Sequence, residues 1–211
     1  MKRSKYIDST ILKADATEEM IRNLCREAKK HDFAAVCVNP CWVSVAAEEL
    51  EGTDVHVACV AGFPLGQNSS VIKAGEAAEA VHNGADEIDM VINIGRLISG
   101  DIDYVRDEIK LIKKTIGNRI LKVIIECCLL NDEQKIAACK AAVEAGADYV
   151  KTSTGFSAGG ATVEDVRLMK ETVGDKAKVK AAGGIRTKEQ MDRMIEAGAE
   201  RIGTSSGASL L

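Results

Sequence analysis

Aromatic side chains are scarce in this sequence: Phe, Trp and Tyr together make up 3% of its 211 residues. A core must then be built from Val, Ile, Leu and Ala, which suits parallel strands covered by helices better than a β-sandwich. No apolar run reaches the length needed to span a bilayer. The opening Met1-Lys2-Arg3-Ser4-Lys5-Tyr6 is basic but lacks the apolar stretch of a signal peptide. Excess positive charge is missing too. The net charge of -4 gives no electrostatic basis for binding nucleic acid. The 7 cysteines are odd in number and contain no Cys-x-x-Cys pair, so they read as free thiols of a reducing compartment. Histidine is limited to 3 residues. His31, His56 and His82 fall at a helix end, a strand start and a helix, so they do not converge as metal ligands. The expectation is a soluble, cytoplasmic protein without membrane, nucleic acid or metal partners.

What is present is alternation. Short β-branched segments predict strands at 6–10, 34–39, 55–61, 87–94, 120–126, 148–152, 178–182 and 201–204. Helical patterns lie between them. Thr17 caps the first helix, with Met20, Leu24 and Ala28 as its apolar stripe. Pro40 opens the second, and Ser69 or Ser70 caps the third. Later helices are expected at 101–116, 132–145, 162–173 and 188–197. Gly84-Ala85-Asp86, Gly146-Ala147-Asp148 and Gly198-Ala199-Glu200 each close a helix and open a strand, at spacings of 62 and 52 residues. No Pro/Gly/Ser linker divides the chain. The pattern predicts one domain over 1–211, an α/β fold of the (β/α)8 or TIM barrel type. A doubly wound open sheet competes, but its Gly-x-Gly-x-x-Gly fingerprint is absent. Only 7 residues follow Thr204, so the eighth helix should be truncated or very short.

The stretch from Asp148 to Gly155 carries the chemistry. It begins as a strand and ends in hydroxyls and a glycine. Strand side chains alternate, so Lys151 points away from Val150 and into whatever the strands enclose. Burial there favours the free amine, which can attack a carbonyl. A fall from about 10.4 to about 7 corresponds to roughly 4–5 kcal/mol. A lysine snorkelling from a strand end is the plainer alternative. Barrel chemistry sits at the C-terminal strand ends. Those ends offer Asp8, Cys37, Asn39, Asp89, Asn93, Glu126, Lys151, Thr152 and Lys180. Asp89 and Asn93 share a strand face with Glu87, whereas Ile88, Met90 and Ile92 form the apolar face. Glu126, Lys122 and Glu87 read equally well as structural ion pairs of the interior. Two lysines on adjacent strands are harder to explain as packing, and each ammonium lowers the other. Gly183-Gly184 after the seventh strand and Gly203 to Gly207 after the eighth stand where such barrels commonly hold phosphate. A phosphosugar isomerase or epimerase would share these loops without needing the lysine pair. A non-catalytic phosphate-binding barrel would not need Lys151 or Asp89.

Eight segments in order resemble the deoxyribose-phosphate aldolase family: Ile7 to Lys13, Ala35 to Pro40, Gly62 to Gly66, Glu87 to Asn93, Lys122 to Glu126, Lys151 to Gly155, Lys180 to Arg186 and Arg201 to Ser205. The resemblance implies a class I aldolase that needs no cofactor or metal. It would reversibly cleave 2-deoxy-D-ribose 5-phosphate into D-glyceraldehyde 3-phosphate and acetaldehyde, in deoxyribonucleoside catabolism. By position, Lys151 resembles the Schiff-base nucleophile and Lys180 the second lysine that keeps it unprotonated. Asp89 resembles the acid/base carboxylate, with Asp8 as the acid paired to Lys180. Cys37 and Thr152 are supporting residues of the mouth. Gly155, Gly183, Gly184, Gly203, Ser205 and Ser206 match phosphate-binding positions. A small phosphorylated sugar and acetaldehyde are then the partners, and a homo-oligomer, as a dimer, is expected. Ser9, Cys127-Cys128 and Phe156 depart from residues common in the family. A longer tail can bring a tyrosine near the site in some members, and this C-terminus cannot. Cys37 is expected to be open to attack by an unsaturated aldehyde formed from acetaldehyde.

Overall fold

The alternation closes into a barrel. The computed structural model describes residues 2–211. Its strands are β1 (Ile7–Thr10), β2 (Ala35–Val38), β3 (His56–Ala61), β4 (Glu87–Val91), β5 (Ile120–Ile124), β6 (Tyr149–Lys151), β7 (Lys178–Ala182) and β8 (Arg201–Thr204). Neighbours pair in parallel, and β8 closes on β1 with Asp8 opposite Gly203. Register then decides which side chains meet inside. Asp89 on β4 stands opposite Lys122 on β5, and Lys151 on β6 opposite Lys180 on β7.

The helices return the chain outside this ring: α1 (Glu18–His31), α2 (Val43–Leu50), α3 (Ser70–His82), α4 (Ile94–Ile98), α5 (Ile102–Ile116), α6 (Asp132–Glu144), α7 (Val163–Val173) and α8 (Lys188–Glu196). Local chemistry sets their starts. Thr17 accepts from the Met20 N–H, Thr162 from Asp165 and Thr187 from Gln190. Packing sets their faces. Helix α5 buries Val105, Ile109, Ile112 and Ile116 at helical spacing against the sheet. The outward strand residues Ile88 and Met90, and Ile92 just beyond β4, join the same core. A separate, smaller apolar cluster of Leu12, Ala35, Cys37, Ala58 and Val60 fills one side of the barrel interior. The other side is charged. Short α4 is an extra helix after β4, and the last strand, β8, is followed only by a single 3-10 turn, Gly207–Leu210, in line with the very short final helix expected.

Several boundaries differ from the sequence reading. Met20 is 38% exposed, and Ile21 and Cys25 join Leu24 and Ala28 in the buried stripe. Pro40 opens a 3-10 turn, Pro40–Trp42, before α2 begins. Ser69 stands at the N-cap of α3 without a side-chain hydrogen bond. Strand β4 ends at Val91, so Asn93 is not a strand residue. Its backbone N–H goes to Glu108 at 3.0 Å, and its side chain caps α4 by accepting from Arg96 N. Strand β5 ends at Ile124, and Glu126 follows in a left-handed conformation.

Candidate active site

Seven charged side chains fill the polar half of the barrel: Asp8, Glu87, Asp89, Lys122, Lys151, Lys180 and Arg201, all buried. Alternation along β1, β4, β5, β6, β7 and β8 points each of them inward. Asp89 is the hub. One of its oxygens, Oδ2, accepts from Lys151 Nζ at 2.8 Å and from Lys180 Nζ at 2.7 Å. The other accepts from Lys122 at 2.7 Å. Lys180 also holds Asp8 Oδ2 at 2.5 Å, and Arg201 holds Asp8 Oδ1 at 2.6 Å. Lys122 pairs with Glu87 as well, and Glu87 meets Arg201 at 3.2 Å. At the far end of this chain of contacts, His56 Nδ1 lies 2.8 Å from Glu87 Oε1.

Counting charges gives the chemistry. Three carboxylates face four basic groups, so one cation lacks a counter-charge of its own. Lys180 has two acids within reach and Lys122 three, whereas Lys151 has only its share of Asp89. The shortfall therefore falls on Lys151. Burial pushes its amine below the usual lysine range; Asp89 opposes that and the Lys180 ammonium adds to it. Burial would lower Lys180 too, but Asp8 and Asp89 outweigh it and hold that ammonium above the usual range. Burial would raise Asp89, but Lys122, Lys151 and Lys180 keep it well below the ordinary carboxylate range. A basic amine with weakened hold on its proton thus sits beside a firmly charged ammonium and carboxylate. Such a trio can attack a carbonyl and move protons around it.

The remaining predicted residues frame this centre. Cys37 is fully buried, and burial raises its thiol, with Asp89 acting the same way. That disfavours the thiolate an aldehyde would meet, against the expectation of easy attack. Thr152 turns away from the mouth: its hydroxyl donates to Ala182 O and accepts from Ala182 N, both at 3.1 Å, tying β6 to β7. Asn39 donates to Leu12 O at 3.2 Å. Gly155, Gly183 and Gly184 have φ of 83°, 91° and 81°. These left-handed conformations favour glycine and leave N–H groups open to an anion. Gly183 accepts from Ala161 N at 3.1 Å, so the loops after β6 and β7 are joined. Thr204 Oγ1 donates to Ile185 O at 2.8 Å, joining the loops after β7 and β8. A Cβ at Gly203 would come within 3.2 Å of Lys180 Cε, so a larger residue there would push the second lysine. Ser205 is exposed and Ser206 half-buried beside them. Phe156, exposed at the rim, packs edge-on to Phe63 at 5.2 Å.

Two groups escaped the sequence reading. Arg201 was legible only as the start of a strand; a charged residue at an inward position of β8 was the available signal. Lys73 lies in the alanine stripe of α3 with Ala74, Ala77 and Ala80. It is fully buried and donates to Glu108 at 2.8 Å and to Val91 O at 2.7 Å.

Fold and site together describe a (β/α)8-barrel enzyme of the lyase class with a lysine-centred interior. The family model described as DeoC/LacD family aldolase matches residues 4–211, and the chain belongs to that family. It is 58% identical over 211 residues to a deoxyribose-phosphate aldolase of Brevibacillus brevis, covering 100% of this chain and 96% of that one. A deoxyribose-phosphate aldolase of Clostridium botulinum is also 58% identical, with 100% of both chains covered. Among solved structures, the deoxyribose phosphate aldolase of Aeropyrum pernix, described as a unique tetramer, superposes with a TM-score of 0.89 at 34% identity. That match covers 98% of this chain and 88% of the other. Among the described residues no helix is long and apolar enough to cross a membrane.

Proposed function

We propose that this enzyme reversibly cleaves 2-deoxy-D-ribose 5-phosphate to D-glyceraldehyde 3-phosphate and acetaldehyde through a Schiff base on Lys151, in deoxyribonucleoside catabolism. The observation that carries this reading is Asp89 Oδ2 shared between Lys151 and Lys180, with only Lys151 pushed below its usual range. The neutral Lys151 amine attacks the open-chain sugar's carbonyl carbon. Lys180, held charged, supplies a proton to the departing hydroxyl, and water leaves as the iminium forms. The proton on the C3 hydroxyl then moves toward Asp89 as the C2–C3 bond breaks. The bonding electrons flow into the iminium, which becomes an enamine; reprotonation and hydrolysis release acetaldehyde. Asp8 keeps Lys180 charged and fixed. Gly155, Gly183, Gly184, Gly203, Ser205 and Ser206 receive the phosphate. The names of relatives more than half identical along the whole chain support this substrate.

Borohydride trapping with acetaldehyde tests it. A reduced two-carbon adduct should map to Lys151, vanish in Lys151→Ala and weaken in Lys180→Leu. A folded protein that gains no adduct would overturn the reading. We further propose a cytoplasmic homodimer; sedimentation giving a stable monomer at micromolar concentration would contradict that assembly.

A further inference from the structure

Among the described residues, the buried acids are Asp8, Glu87, Asp89, Glu108, Glu126 and Asp165. Five hold a cation: Asp8 and Asp89 hold Lys180, Glu87 holds Lys122, Glu108 holds Lys73 and Asp165 holds Lys135. Glu126 is in none of the ion pairs, although it is only 2% exposed. A carboxylate withdrawn from water without a counter-charge is costly for a fold to keep. Its backbone adds to that cost, since φ is 57° at a residue that is not glycine. Strain and an unpaired acid at one position of a barrel mouth point to use rather than packing.

The surroundings say what use. Both Glu126 oxygens accept from Thr154 N at 3.3 Å, and Oε2 also accepts from the Thr154 hydroxyl. Thr154 Oγ1 accepts in turn from Phe156 N at 3.1 Å, so its one proton goes to Glu126 and one of its two lone pairs is taken. Besides Thr154 N, Oε1 meets only a weak donor, the Cys128 thiol at 4.0 Å, so it is the oxygen with room for a stronger one. Glu126 lines a cleft of about 270 Å³ together with Thr154, Phe156, Ser157, Ile94 and Gln67. An acceptor-only group in a mostly apolar cleft selects a hydrogen-bond donor. On the proposed substrate the C3 hydroxyl gives up its proton in the reaction. The C4 hydroxyl lies between that carbon and the phosphate; in the reverse direction it is the hydroxyl next to the carbonyl of the incoming aldehyde.

We propose that Glu126 is a specificity-determining residue that accepts a hydrogen bond from this hydroxyl, so that the enzyme selects 2-hydroxyaldehyde phosphates over deoxy analogues. The inference rests on the aldolase reading. The test compares kcat/KM for acetaldehyde addition to D-glyceraldehyde 3-phosphate and to 3-oxopropyl phosphate, which lacks only the hydroxyl. The wild type should prefer the hydroxylated acceptor by about tenfold or more, the scale of a hydrogen bond to a charged group. Glu126→Gln keeps an oxygen for Thr154 and should lower that ratio by about tenfold; Glu126→Met should lower it at least as far. Equal losses for both acceptors would reduce Glu126 to a prop for Thr154 and overturn the proposal. If neither variant folds, the wild-type ratio decides, and a value near one overturns it. Trapping of acetaldehyde on wild-type Lys151 is independent of any hydroxyl, so its failure would strike the aldolase reading instead.

Discussion

Lys151 and Lys180 face each other across two strands, yet only Lys180 has a second acid. Replacing Lys180 by methionine (K180M) removes a neighbouring ammonium and leaves Asp89 Oδ2 to Lys151 alone. Both changes favour the protonated amine of Lys151. The pH at which imine trapping reaches half its maximal rate should rise by about one unit or more; a stationary profile would mean that burial alone sets Lys151. At the barrel's other end, the bond to Glu87 raises His56, against the effect of its partial burial. A group raised in the folded state contributes stability that is fully present below its unfolded value of about 6.5. That contribution is lost as pH climbs through the raised value. Denaturant midpoints of the wild type should therefore fall relative to His56→Gln between about pH 6 and pH 9. Parallel curves would show that the pair is not coupled to folding.

Helix α3 holds the upper ends of two strands. Lys73 donates to Val91 O at the end of β4, Glu108 on α5 accepts from Asn93 N just beyond it, and Glu76 accepts from Gly62 N after β3. Burial lowers Lys73 and raises Glu108, so each depends on the other to stay charged. Lys73→Met leaves Glu108 buried and unpaired, and should cost about 3–5 kcal/mol in urea unfolding. A K73M/E108L double variant should recover most of that loss. These elements also mark how far the sequence could be read. Thr17 was legible as a cap and Thr162 as a helix start because a cap needs only the next turn. The inward facing of Asp89, Lys151 and Lys180 followed from alternation. Asn93 did not, because alternation says nothing about where a strand stops. Its N–H is taken by Glu108, 15 residues further on. Lys122 and Glu87 proved to be ion pairs of the interior, as one of their two readings held. Glu126 could not be told from them, since the absence of a cation partner is a fact of three-dimensional packing.

At the scale of the molecule, the ring of helices is completed by a 3-10 turn rather than a helix. Gly207 lets this turn lie flat: a Cβ there would stand 2.8 Å from the Phe33 ring. Leu210 is fully buried behind it. One leucine thus does much of the sealing that a helix face does elsewhere. Leu210→Ala should cost about 2–5 kcal/mol, read from denaturant midpoints, with trapping of acetaldehyde retained at low temperature.

The charged interior also joins the two ends of the chain. Asp8 bonds Lys180 and Arg201, which lie 172 and 193 residues away in sequence. No local segment can assemble this cluster, and contacts of such long range form late and slowly. During synthesis or refolding, Lys180 has no Asp8 to hold its charge until β1 and β8 dock. The reactivity of one amine is therefore a clock for closure of the whole ring. In a refolding experiment, the moment at which Lys151 becomes trappable should mark the docking of the last strand, after most helical signal has already returned.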